Sequence, residues 1–264
     1  PNDGCSAKDS VTVTINQPTI GSITPDYAFS CSGGGTALTV LNYSTIGNQT
    51  NTTAATGTGA TLGPNALTRY YGGQKTQTLV LKSELNALGI TGGSINKIAL
   101  SMAAQSDVSF NAVKIKIGHT ASSAFASTTD WKTGLTTVFT AATATVPSGA
   151  GWKEIPLSTP FVWNGTDNLV IEFIHNTNPY NGSTTNSAYY STTGFVSTLF
   201  YRADSQTDVA IESFVGTASF SYSQRQNMQL GFSADGLNPV WAPLTGLYND
   251  QGLSSPYSGT PTAT

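Results

Sequence analysis

Between residues 76 and 232, apolar side chains return at every second position in one short run after another. The clearest run is "AVKIKIG". It sets Val113, Ile115 and Ile117 on one side and Lys114 and Lys116 on the other, with the lysines expected to face solvent. Ile98, Leu100 and Met102 share a face in "INKIALSMA", Leu79 and Leu81 in "TQTLVLK", and Met228, Leu230 and Phe232 in the run that closes this region. A period of two requires extended chain, because a helix would scatter these residues around its axis. Further strands are predicted at 136–145, 153–157, 168–175, 187–190, 198–202 and 218–222. Residues 226–232 read as one strand.

The sole helical signal taken from this region is "SELNALG", where Ser83 offers a cap and Gly89 a stop. About eight to ten strands with turn residues between them point to an all-β chain, folded as a two-sheet antiparallel β-sandwich. A jelly-roll-like topology is favoured over an immunoglobulin fold for the central part.

The chain divides by texture. Residues 1–17 contain one strand pattern, with Val11, Val13 and Ile15 in phase, ended by Pro18. Residues 18–61 hold short strand candidates and then a polar, small-residue linker. The sandwich is placed at 62–235. Residues 236–264 are rich in Pro and Gly and read as the opening of a further module.

Charge narrows the function classes. Charged residues make up 9% of the 264, against about 25% in ordinary globular chains. The surface must therefore be Thr, Ser, Asn, Gln and Gly, which suits an extracellular protein. Eleven basic residues scattered singly, with a net charge of −3, form no stripe for a phosphate backbone, so nucleic acid is not expected as a partner. No apolar run reaches the roughly 20 residues of a membrane span, and the first residues lack the pattern of a signal peptide. Membrane insertion is not expected, and the chain reads as a mature piece or fragment.

The sequence has no G-x-S-x-G, no H-E-x-x-H and no P-loop. Its two histidines, His119 and His175, fall in phase with inward-facing strand residues and read as strand-end residues rather than a metal pair. Glu172 has Val170 and Ile174 as same-face neighbours, so its strand supplies no second acid for glycoside hydrolysis, and it reads as solvent-facing.

Carbohydrate contact is the better-supported chemistry, through Trp131, Trp163, Tyr180, Tyr189 and Tyr190, with Trp152 and Tyr201 as further rings. The competing reading has these rings filling the core or covering loops. Tyr189 and Tyr190, adjacent in a strand, must point to opposite faces. No cofactor is assigned. Calcium is the ion best matched to the loop carboxylates Asp107, Asp130, Asp167, Asp204 and Asp208, although they lack EF-hand or RTX spacing. Cys5 and Cys31 have no metal-ligand neighbours. They either pair with each other as a disulfide or pair with cysteines outside these residues.

At this point "GGQKTQTLVLKSELNALGI", "GSINKIAL", "VKIKIGHT", "TDWKTGLTTVF", "GWKEIPLSTPFVWNGTDNLVIEFIHN" and "RQNMQLGF" carry a resemblance. Residues 70–233 resemble the β-sandwich module of large secreted and cell-surface proteins of gliding, type IX-secreting bacteria. The flanks resemble parts of the Ig-like repeats that neighbour such modules: 1–17 the end of a preceding repeat, 236–264 the start of a following one. The resemblance implies export to the cell surface within a multidomain repeat protein, a role in adhesion or surface assembly, and partners among neighbouring modules and surface glycans. It implies no enzyme and carries over no catalytic residue. It places Cys5 and Cys31 in different repeats, and "DSV" around Ser10 resembles the short O-glycosylation motif of the same bacterial group.

Overall fold

A computed structural model describes residues 12–14, 21–24, 39–46, 54–56, 64–88, 90–177, 179, 186–232, 240–242, 248, 254–256 and 258. In chain order the elements are β1 (Thr12–Thr14), β2 (Gly21–Thr24), β3 (Thr39–Ile46), β4 (Ala54–Thr56), β5 (Gly73–Val80), α1 (Lys82–Ala87), β6 (Gly93–Ala104), β7 (Ser109–Thr120), β8 (Thr136–Thr145) and β9 (Gly151–Trp163). They continue as β10 (Asn168–Asn176), β11 (Ser187–Thr192), β12 (Thr198–Ala203), α2 (Asp208–Glu212), β13 (Phe220–Tyr222), β14 (Gln224–Gln226), β15 (Met228–Phe232) and β16 (Val240–Ala242).

The pairing is nested. β7 pairs with β8, β6 with β9, β5 with β10 and β4 with β11, every pair antiparallel. From β4 to β7 and again from β8 to β12 successive strands alternate between two sheets, so the nested pairs roll over one another as a jelly roll. The outcome agrees with the topology expected from sequence. One sheet is six-stranded, in the order β13-β12-β5-β10-β7-β8. The other is eight-stranded and runs β14-β11-β6-β15-β3-β2, with β9 on β6 and β4 on β11. β2, β3 and β4 thus join the sheets from upstream of residue 62. β1 pairs with β16 in a separate two-stranded sheet.

The two sheets close on an apolar core. Ile98, Leu100 and Met102 from β6 meet Ile115 and Ile117 from β7, Ile171 and Phe173 from β10, and Met228 and Leu230 from β15. Burying each such side chain contributes about 1.5–3 kcal/mol, so the period-two runs set both register and face.

The outer face of the six-stranded sheet is also covered. Leu79, Val170 and Leu199 form a second apolar cluster with Phe125, Trp131 and Ala218, so β5 is buried along its whole length. Its cover comes from the segment after β7, from α2 and from the residues following α2. Gly73 makes the approach of α2 feasible, since a Cβ there would collide with the Ile211 side chain.

Local corrections follow from packing. Helix α1 starts one residue before Ser83, with Leu81 at the N-cap position and no side-chain cap. Glu84 takes over by accepting a hydrogen bond from the Leu81 amide at 2.8 Å, and it grips Arg225 through both guanidinium nitrogens at 2.6 and 2.8 Å. The run 226–232 is broken at Asn227, whose amide donates to the Tyr189 carbonyl while its own carbonyl accepts from Ser101. β14 therefore pairs with β11 and β15 with β6 and β3.

Candidate functional site

The densest cluster of ionisable groups lies on the outer face of the six-stranded sheet. Register places Glu172 of β10 beside Gln77 of β5 and Lys116 of β7. Gln77 Nε2 donates to Glu172 Oε2 at 2.6 Å, and Lys75 Nζ stands 3.3 Å from the same oxygen. Lys116 Nζ is 3.9 Å from Glu172 Oε1 and 2.6 Å from Glu212 Oε1. Lys114 pairs with the other Glu212 oxygen. Lys75 Nζ also donates to the carbonyls of Glu212 and Phe214, at 2.8 and 2.9 Å, and sits 5.3 Å from the Trp131 ring centre.

This corrects the solvent-facing assignment of Glu172, which is only 2% exposed, and of Lys116, which reaches Glu212 at the end of α2; Lys114 pairs with the same carboxylate and keeps about a third of its side chain in solvent. Glu212 is the acid that sequence reasoning missed. Its helix was legible in principle, because Thr207 caps α2 by accepting from the Ala210 amide at 3.2 Å.

Electrostatics follow the geometry. Burial lowers the Lys75 ammonium from its ordinary value despite the opposing pull of Glu172. Hydrogen bonds from Lys114 and Lys116 hold the Glu212 carboxyl below its ordinary value. Charges withdrawn from water are tolerated only when paired and hydrogen-bonded, and these are both. An ammonium occupies the space between Glu172 and Glu212, where a glycosidic bond would have to lie. Chemically the cluster is a clamp that holds the cover onto the sheet.

The histidines are kept apart. His119 lies opposite Leu169, six positions along β10 from His175, a separation of roughly 20 Å at the rise of a strand. His119 is exposed, rests on Phe161 with ring centres 4.9 Å apart, and its Nε2 accepts from the Asn164 amide at 3.2 Å. His175 is buried, edge-on to Phe110 at 5.1 Å. Burial pushes its imidazole down to about 4, although the Thr68 carbonyl favours the charged form.

The loop carboxylates are dispersed as well. Asp130 accepts from the Ala126 amide and pairs with Lys132. Asp167 accepts from the Asn164 side chain, Asp204 from the Gly72 amide, and Asp208 from the Asn176 side chain. Among the described residues no group of three or more His, Cys, Asp or Glu converges on a metal position.

The tryptophans serve packing. Trp131 is 7% exposed and donates to the Gly216 carbonyl, and Trp163 is 1% exposed and donates to the Asp167 carbonyl. Neither presents a ring face to a sugar. Tyr189 and Tyr190 are both half-buried on β11, Trp152 is half-buried on β9, and Tyr201 stacks on Phe214 with ring centres 3.5 Å apart. Tyr180, Ser10, Cys5 and Cys31 lie outside the described residues.

A different aromatic group is accessible. Arg202 is held between rings, 4.4 Å from the Tyr71 centre and 4.8 Å from that of Phe220, with Tyr70 at 5.9 Å. Tyr222 stacks against Phe220, and every member of this patch is half-buried. No single run of sequence signals it, because its members come from the loop before β5, from β12 and from β13.

Two edge strands complete the accessible features. β8 ends the six-stranded sheet, and β9 is outermost beside β6 in the other. Where they approach, a slot of about 170 Å³ opens between the sheets, walled by Phe110, Val113, Phe139, Ile155 and Phe173, with His175 in its wall. The architecture thus defines an all-β jelly-roll sandwich with an ion-clamped third layer. No known protein family, curated protein or solved structure matches the chain.

Proposed function

We propose that this chain is a non-catalytic extracellular module of a large cell-surface protein, serving adhesion or surface assembly. The observation that carries the reading is the fate of its ionisable side chains. Glu172, Glu212, Lys75, Lys114 and Lys116 are consumed in fixing a cover to a sheet, and the loop aspartates in holding turns. What remains for contact among the described residues is mostly uncharged: the exposed Thr and Ala side chains of β8 and half-buried aromatic rings. The likeness of residues 70–233 to surface modules of gliding bacteria favours type IX export and a place among Ig-like repeats. Beads coated with the purified chain are expected to adhere to cells or surface polysaccharide, with no release of reducing sugar. Hydrolysis abolished by Glu172→Gln would overturn the reading.

The second reading is a carbohydrate-binding module of a secreted hydrolase, favoured by the half-buried rings around Arg202. Aromatic faces stack on pyranose rings and a guanidinium donates to hydroxyls. On this reading Tyr71→Ala abolishes polysaccharide retention and leaves the fold intact.

A further inference from the structure

A folded interior leaves few voids larger than a water molecule, and the slot of about 170 Å³ between β8 and β9 is an exception. Side-chain size accounts for it. β8 sets Ala141 and Ala144 opposite Val113 and Phe110 of β7, and a methyl group reaches less far toward Ile155 of β9 than a larger side chain would. Phe110, Val113, Phe173 and His175 are the buried part of the lining. Thr143, Glu154 and Pro156, in the same lining, are exposed, so the slot is reached from solvent.

One polar atom in that lining is not provided for. His175 follows Phe173 on β10 at the period of the strand, so both turn to the same side. It is 3% exposed, and its Nε2 has no hydrogen-bond partner among the described residues. Nδ1 lies 3.4 Å from the Thr177 hydroxyl, and the Thr68 carbonyl, although it favours the charged ring, makes no hydrogen bond to Nε2. The polar groups on the exposed side are engaged: Thr143 donates to Asn111 at 3.0 Å, and Glu154 pairs with Lys97 at 2.9 Å. A buried polar atom left unpaired is costly, and so are apolar walls that lack packing partners. One guest, apolar over most of its surface and bearing a single hydrogen-bonding group, relieves both.

We infer that the slot binds a small monocyclic phenol, with its ring among Phe110, Phe139 and Phe173 and its hydroxyl on His175 Nε2. Size sets the ring count, because a cavity of about 150 Å³ holds one benzene. Three phenylalanines favour an aromatic guest, which meets them edge-on or offset. A hydroxyl both donates and accepts, so it serves Nε2 in either tautomer. A carboxylate would need a buried positive charge, and the neutral imidazole offers none. The inference goes beyond adhesion and does not depend on it.

Phenol titrated into the unmutated chain is expected to saturate at one molecule per chain, shifting the NMR resonances of β8, β9 and His175. Toluene has as many heavy atoms but no hydroxyl, and is expected to bind about tenfold more weakly. The Nε2 nitrogen resonance is expected to move with phenol and to stay in place with toluene, and His175→Leu to cancel the preference for phenol. Ala141→Leu narrows the slot and is expected to abolish binding of both compounds, with circular dichroism reporting that the fold is kept. Absence of saturable binding by either compound overturns the site. Equal affinities, or an Nε2 resonance that phenol leaves unmoved, overturn the assignment to a phenol. Binding that survives in a folded Ala141→Leu variant places the guest elsewhere and overturns the slot.

Discussion

The two faces of the six-stranded sheet solve burial in opposite ways. The inner face does it with Ile115, Ile117, Ile171 and Phe173. On the outer face Lys75, Gln77, Glu172 and Lys116 are interleaved with Leu79, Val170 and Leu199, and charge is enclosed by pairing. The inner face needs only shape and apolarity, so it tolerates exchange among similar side chains. The outer face depends on each partner being present, because a buried charge stripped of its counterion has no substitute for water.

The sharpest way to break this comparison is to delete one partner from each face. Glu172→Ala leaves Lys75 enclosed without its carboxylate, and is expected to cost about 3–5 kcal/mol in urea denaturation. Ile171→Ala, its neighbour pointing inward, is expected to cost about 2–5 kcal/mol. A loss below about 1 kcal/mol for Glu172→Ala would return that residue to solvent and dissolve the contrast.

Titration tests whether the inner face rejects charge. The folded-state value of His175 lies below its unfolded value of about 6.5, so the native state prefers the neutral ring. Its contribution is fully present above pH 6.5 and is lost as pH falls toward about 4, amounting to about 3 kcal/mol. His175→Phe is expected to remove this slope between pH 6.5 and 4. An unchanged slope would place the responsible group elsewhere.

The smallest effect calibrates the others. Lys97 and Glu154 form an ion pair 2.9 Å long across the outer side of the eight-stranded sheet, with Glu154 half in water. Exposed pairs contribute little, and Lys97→Ala is expected to shift stability by less than about 1 kcal/mol in the same denaturation assay. A cost comparable with that of Glu172→Ala would mean that burial does not separate the two clusters.

The same contrast explains what the sequence could disclose. Alternation located β8 to its terminal residues and placed Ile98, Leu100, Met102, Ile115 and Ile117 on the core side, because period and apolarity are local properties. Lys116 and Glu172 looked solvent-facing, since a polar residue opposite a core residue normally is. Their cover arrives from residues 121–135 and 207–218, beyond the reach of any strand-length window. Trp131 and Trp163 showed the converse: large rings read as contact surface are held inside by one indole hydrogen bond each. The Arg202 patch escaped notice because tertiary structure alone assembles it.

Nesting also orders the costs of closing the chain. β7 and β8 are joined by the shortest excursion among the nested pairs, and each further pair, β6 with β9, β5 with β10, β4 with β11, must close a longer loop. A folding route that pays these entropies in increasing order begins at the hairpin that contains β8. The β7–β8 hairpin is then the part of the sandwich that waits longest for its cover while the molecule is being made, and crowding of nascent copies would be met first by its strands.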